Sequence, residues 1–187
     1  MLRSKIEKKY RKGENNRLYQ GDILRNLSFI VGNPEKTEGK DCIDLPFAVL
    51  LSQDCDLEAD FKCREQTIGN QDKYLLSLLV CPAFNIGEFA NGTHFANWQM
   101  EPQSSKLIEK IQKNDTHKRF HFLSKNTEFF VPDLVLDFKH FFTLPRDYLY
   151  SQEKDVYVAS LSELFREELS QRFSNYLSRI GLPELND

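Results

Sequence analysis

Apolar residues along this chain come in short runs broken by polar, Gly- or Pro-bearing stretches, a rhythm that predicts strands of modest length over most of it. Tyr19 to Leu24 leads into Leu27 to Val31 and reads as a first strand entered through Gly21, followed by a turn-rich excursion at Gly32-Asn33-Pro34 and Gly39. Leu45 to Ser52 is a continuous apolar run of strand length, closed by a polar cluster. Tyr74 to Cys81, stopped by Pro82, reads the same way, with helix as the alternative because leucines dominate it. Residues 85 to 103 show no period, and Gly87, Gly92 and Pro102 predict a long surface excursion there. Lys118 to Leu123, Leu134 to Phe138, Phe141 to Leu144 and Val156 to Ala159 add further strands.

Two segments carry helical periodicity. Ser105 to Lys113 places Leu107, Ile108 and Ile111 on one face. Towards the C-terminus, Ser160 and Glu163 read as a capping box. Leu161, Phe165, Leu169, Phe173, Leu177 and Ile180 then recur at helical spacing, joined by Leu164 and Tyr176, and Gly181 and Pro183 supply the stop. The sum is an α+β fold: about five or six short strands in a small, strongly bent antiparallel sheet or barrel, with a short central helix and a long amphipathic C-terminal helix packed outside.

Composition narrows the picture. At 187 residues and 21.9 kDa the chain holds one domain, assigned to residues 17 to 183 with an irregular insertion around 85 to 103, a basic arm at 1 to 16 and a tail at 184 to 187. A 40% hydrophobic fraction with 15 Phe and 7 Tyr supplies a core. The net charge of -3 and pI near 5.9 provide no global positive field, so contact with nucleic acid has to come from a local patch. One such patch lies between Arg3 and Arg25, where eight Lys/Arg face three acidic residues. It reads either as a solvated arm or as a phosphate or partner contact. No stretch reaches the ~18 apolar residues that span a bilayer, and the basic start is followed by no signal-like apolar run, which predicts a soluble cytoplasmic protein without membrane contact. Cys42, Cys55, Cys63 and Cys81 do not form the framework of a small secreted domain and read as reduced thiols, with Cys42 and Cys81 as small buried hydrophobes.

The most site-like stretch is Ser52-Gln53-Asp54-Cys55-Asp56, directly after a buried strand, where sites are commonly built. It offers a nucleophile, hydrogen-bond readers and carboxylates within five residues; the plainer reading is a polar turn closing the strand. Asp54, Asp56, Glu58, Asp60 and Glu65 match positions 1, 3, 5, 7 and 12 of a calcium loop, but Ala59 stands where that loop needs Gly and Lys62 adds a positive charge, so an acidic, solvated loop is the expectation. Cys55, Cys63, Cys81, His94, His117 and His121 lack the spacing of a zinc knuckle. No metal or cofactor is expected. Like-charge repulsion from Asp54 and Asp56 disfavours a Cys55 thiolate and counts against a Cys nucleophile.

Further along, His117, Arg119 and His121 share one face of a strand and Lys118, Phe120 and Phe122 the other; Phe138-Lys139-His140-Phe141-Phe142 repeats that basic and aromatic texture. Such interleaving can stack bases while neutralising phosphates, and equally describes a polar face over a Phe core. Three functional readings follow. Gln20, Gln53, Cys55, Lys118 and Arg119 contact a nucleic acid or nucleotide; or the basic arm and Phe-rich surfaces dock a larger enzyme; or Ser52, Asp54 and Asp56 act with His121 in a hydrolase, the route by which the chain would be a nuclease or other hydrolytic enzyme.

Taken in order, Gly21-Asp22-Ile23, the Pro46 to Ser52 strand, the strand ending Val80-Cys81-Pro82, and Leu134 to Leu149 followed by the Leu161 to Leu177 helix resemble the PemK/MazF-type toxins, endoribonucleases on an SH3-like barrel. The family carries an Arg before the Pro of its second strand and a Thr at the end of its third; here those places hold Leu45 and, after Pro82, Ala83 and Phe84. The resemblance thus implies a barrel that binds nucleic acid or a protein partner in a toxin–antitoxin or phage-defence module, with Arg119 and His121 as replacements and the Ser52 to Asp56 turn at its mouth.

Overall fold

The computed structural model describes residues 7–13, 17–31, 41–64, 71–95, 98–114 and 118–178, with the backbone alone at 29–31 and 41–43. Its strands are β1 (Tyr10–Arg11), β2 (Asp22–Val31), β3 (Asp41–Leu50), β4 (Ser77–Asn85), β5 (Phe120–Leu123), β6 (Leu134–Asp137), β7 (Phe142–Pro145) and β8 (Tyr157–Leu161). Its helices are α1 (Asp54–Arg64), α2 (Ile86–Asn91), α3 (Ser105–Gln112), α4 (Arg146–Val156) and α5 (Glu163–Leu177). The fold is α+β. One antiparallel sheet runs in the order β1-β8-β2-β3-β4-β6-β5, and β7 also pairs with β4.

Period-two alternation explains how both faces of this sheet are filled. Ile23, Val49, Cys81 and Leu136 point to one side, under Leu169 and Phe173 of α5. Their chain neighbours Leu24, Leu50 and Val80 point to the other, against Leu57 of α1 and Leu149 of α4. Strands buried on both faces read as continuous apolar runs, which is how β3 and β4 look in sequence. A third cluster of Phe84, Phe89, Phe95, Ile111, Phe120 and Phe122 fills the space under α2 and α3.

The sheet is open, which corrects the barrel expectation. Among the described residues β1 and β5, the two edges, share no ladder; side chains bridge them instead, with the Tyr10 hydroxyl donating to the Ser124 carbonyl and Lys9 Nζ donating to Ser124 Oγ at 3.3 Å. A two-residue β1 is too short to close the ring by backbone pairing. Pro82 does not end β4: it lies where β4's partner changes from β7, last paired at Val80, to β6, first paired at Ala83, a break in the ladder that tolerates a residue without an N–H.

Other expectations also change. Tyr10 and Arg11, placed in the basic arm, are pinned to Leu161 and Ser160 of β8. The expected acidic loop after Ser52 is helix α1, because Leu57, Asp60 and Cys63 fall on one buried face. Residues 86–91 form α2, and Phe89, His94 and Phe95 bury in the aromatic cluster where a surface excursion was expected. Nothing in the pattern announced α4. The short central helix falls at Ser105–Gln112 with Ser104 Oγ accepting from Leu107 N–H. The last helix begins after Ser162, since Ser160 and Leu161 belong to β8 and the Ser160 hydroxyl donates to Asp22, so the expected capping box does not form. Its inner side buries Leu169 and Phe173, while Leu164 and Leu177 lie exposed and interrupt the apolar stripe. Glu65, His117, Ile180, Gly181, Pro183, the Gly32 to Gly39 excursion and the 184 to 187 tail lie outside the described residues, as does the Cys42 side chain.

Candidate functional site

The end of β3 brings three arginines together. Gly21 takes a left-handed turn at φ 82°, its N–H donating to the Leu50 carbonyl, and this sets the segment before β2 beside the start of α1. Arg17 then reaches Asp54, the first residue of α1, with two N–H groups at 3.2 Å each. From α5, Arg166 places a second guanidinium 3.1 Å from the same carboxylate. The Arg17 guanidinium lies 3.7 Å from the centre of the Tyr19 ring, and Arg11 of β1 lies 5.1 Å from that ring centre. Arg17 thus links a ring that Arg11 also faces to a carboxylate that Arg166 also meets.

The hydrogen bonding of these arginines is incomplete. Nε of Arg11 and Nε of Arg166 are buried and donate to nothing among the described residues; Glu167, largely exposed, stands 3.9 Å from the latter. Buried guanidinium N–H groups without acceptors are costly, and an anion with several oxygens satisfies them. The side chain of Asp54 is 22% exposed against 12% for Arg17 and 13% for Arg166, so solvent meets the cluster over the carboxylate.

Behind the cluster lies a buried polar chain. Asp22 accepts from Tyr19 N–H at 2.7 Å and from the Ser160 hydroxyl, which is 3.0 Å from the Tyr157 hydroxyl, itself bonded by Gly13 N–H. Burial pushes the Asp22 carboxyl up to about 7, against the opposing pull of Ser160, the Tyr19 N–H and Arg11.

The pentapeptide is divided between structure and surface. Ser52 Oγ accepts from Leu79 N–H at 2.7 Å and so ties the end of β3 to β4. The Gln53 carbonyl accepts from Asp56 and Leu57 and starts α1, while its side chain is exposed. Cys55 and Asp56 are exposed, the thiol 3.7 Å from both Gln53 Oε1 and Asp56 Oδ1. Gln20, 6% exposed, donates from Nε2 to the Leu51 carbonyl and braces the turn from within. Asp60 is not a loop ligand: on the buried face of α1 it accepts from Arg64, Arg146 and Leu75 N–H.

The remaining sequence-predicted residues lie elsewhere. His121 is on β5, separated from β3 by β4 and β6 in the sheet, and stacks on Phe138. Its Nδ1 is buried without a hydrogen-bond partner among the described residues, and burial, reinforced by the charges of Arg172 and Lys9, holds the ring's pKa down at about 3. It forms no hydrogen bond to Ser52, Asp54 or Asp56, and it stays neutral at physiological pH, unable to act as the cationic partner of a phosphate. Arg119 is clamped by Asp137 through two N–H groups, Nε at 2.7 Å, and Lys118 is exposed. Cys81 is fully buried, as expected of a small hydrophobe.

No family model, curated protein or solved structure matches this chain. The likeness to PemK/MazF toxins therefore rests on the order of elements and on the few residues quoted for it. Among the described residues no helix is long and apolar enough to cross a membrane.

Sequence reasoning placed the turn after β3 in the site and read the basic stretch holding Arg11 and Arg17 as a solvated arm or a phosphate or partner contact, but missed Tyr19 and Arg166. Arg17-Leu18-Tyr19 carried a local signal, a cation two residues before an aromatic on the extended approach to a strand. Arg166 carried none, because it reaches Asp54 only through the packing of α5 on the sheet.

Proposed function

We propose that this protein binds a phosphate-bearing ligand of the nucleic-acid or nucleotide class at the Arg11, Arg17, Tyr19 and Arg166 cluster. The observation that carries the reading is the convergence of Arg17 and Arg166 on one carboxylate beside a ring that Arg11 also faces. Guanidiniums in fixed forks suit phosphate oxygens, and Tyr19 adds an aromatic surface of the kind on which bases stack. The basic texture of the chain before β2 adds to the local field, in a protein whose net charge of -3 excludes a global one. The order of elements resembling PemK/MazF favours nucleic acid over other phosphates, in a toxin–antitoxin or defence setting. Binding rather than cleavage is the proposal, since His121 and Ser52 are both engaged structurally.

Fluorescence anisotropy tests it, using short mixed-sequence single-stranded RNA and DNA probes at low salt, with ATP and inorganic phosphate as competitors. Retention that weakens as salt rises is the expected result, with Arg17→Gln and Arg11→Gln each losing about tenfold in affinity. The RNA, DNA and ATP arms separate polymer from mononucleotide. A folded protein that retains none of these probes at low salt refutes the proposal.

A further inference from the structure

Asp54 lies at the centre of the cluster with a charge that opposes the ligand. Its carboxylate stands where Arg17 and Arg166 converge, accepting two N–H groups of Arg17 at 3.2 Å each and forming an ion pair with Arg166 Nη1 at 3.1 Å, all longer than the 2.7 to 2.9 Å usual for charge-assisted pairs. Contrast Asp60, whose arginines sit at 2.7 and 2.8 Å and whose third partner, Leu75 N–H, completes its coordination. Asp60 is a closed structural knot, 1% exposed; Asp54 is 22% exposed and leaves Arg166 Nε without an acceptor. A planar carboxylate has two oxygens and cannot reach every donor around it, whereas a tetrahedral phosphate has oxygens in more directions.

Resting on the phosphate-binding reading above, we infer that Asp54 is a resident competitor: an internal anion that occupies the phosphate position, holds Arg17 and Arg166 in place in the empty site, and must yield when ligand enters. Its place at the start of α1 fits this role. The helix N-terminus stabilises whichever anion lies there, so Asp54 can turn outward to solvent while the incoming phosphate takes over the same favourable field. Gln53 and Cys55 beside it are exposed, so its side chain stands at the solvent boundary. The consequence is a site of moderated affinity, in which a weak anion is excluded and a ligand offering several phosphate oxygens displaces the carboxylate.

The experiment compares wild type, Asp54→Asn and Asp54→Glu with the same labelled single-stranded RNA, alongside thermal melts to show that each is folded. Removal of one negative charge from between two guanidiniums is expected to tighten RNA binding at least about tenfold in Asp54→Asn and to make its salt dependence steeper. Asp54→Glu, which keeps the charge, is expected to show no gain, and Arg166→Gln in the Asp54→Asn background to abolish the gain. Binding by wild type with unchanged or weaker binding by a folded Asp54→Asn overturns the competitor role and leaves the phosphate site standing. Absence of binding by all three overturns both. Should Asp54→Asn fail to fold, Asp54→Ser serves as the uncharged variant, read in the same way.

Discussion

Arg146 Nε donates to Asp60 Oδ2 at 2.8 Å, joining the first residue of α4 to the middle of α1 across 86 positions of sequence. Arg64 and Leu75 N–H bind the other carboxylate oxygen, and the two guanidiniums rest on Tyr150 and Tyr74. Burial disfavours the Asp60 anion, but these donors outweigh it and hold its pKa below the usual carboxylate range. Removing the carboxylate leaves Arg64 Nε, Arg146 Nε and the Leu75 N–H without their acceptor in a mostly buried setting. Asp60→Ala is expected to lower unfolding free energy by about 3 to 5 kcal/mol, measured by urea denaturation, with Asp60→Asn losing less because its amide oxygen still accepts.

That knot also shows where the sequence stopped being legible. β2, β3, β6 and α3 were readable because each is a local pattern: a period, a cap, a punctuating Gly. The acidic run from Asp54 to Glu65 was misread because its charges suggested solvent, whereas Asp54 and Asp60 are matched by arginines from residues 17, 146 and 166. Pairing across such separations leaves no trace in local spacing. The same holds for Ser160, which had the spacing of a helix cap but met Asp22 first. The position of the candidate site at the end of β3 and the basic stretch before β2 were legible; the convergence of Arg17 and Arg166 on Asp54 was not.

Gly92 is a position where backbone geometry alone makes a prediction. It caps α2 at φ 74°, and a Cβ there would lie 2.2 Å from the Met100 carbonyl oxygen. Both the left-handed conformation and the clash with main chain oppose any side chain. Gly92→Ala is expected to cost more than about 2 kcal/mol, and the loss should appear as a lower melting temperature, with an early change in the fluorescence of Trp98 as its contact with Phe95, at 5.3 Å between ring centres, is lost.

Arg119 distinguishes a structural cation from a ligand-binding one. Two of its N–H groups are committed to Asp137, a carboxylate 1% exposed that also accepts from Lys139 N–H. Arg119→Gln strands that buried charge, and a stability loss of about 3 kcal/mol is expected. RNA affinity, measured on the folded fraction, should change less than threefold, about 0.6 kcal/mol, in contrast to the loss on changing Arg17. A large affinity loss in Arg119→Gln with stability intact would move the binding site to β5.

Two buried groups give opposite pH dependences over the same range. Asp22 has its pKa raised to about 7 in the fold and near 4 in the unfolded chain, so its contribution is fully present below about pH 4 and is lost as pH rises through 7. His121 is held down at about 3 against about 6.5 when unfolded; between those values the unfolded chain takes up a proton that the folded ring refuses, and stability falls as pH drops. Where the windows overlap, from about pH 4 to 6.5, the two slopes oppose each other, each up to about 1.4 kcal/mol per pH unit. Wild type should therefore show a shallow profile of urea midpoint against pH across that range. Asp22→Asn removes the falling limb and leaves the His121 term, so its midpoint should climb with pH; His121→Gln leaves the Asp22 term, so its midpoint should decline. Because the two changes act on separate elements, β2 and β5, the double variant should return the shallow profile, and midpoints of the two single variants that run parallel to wild type would show that neither group titrates as its surroundings require.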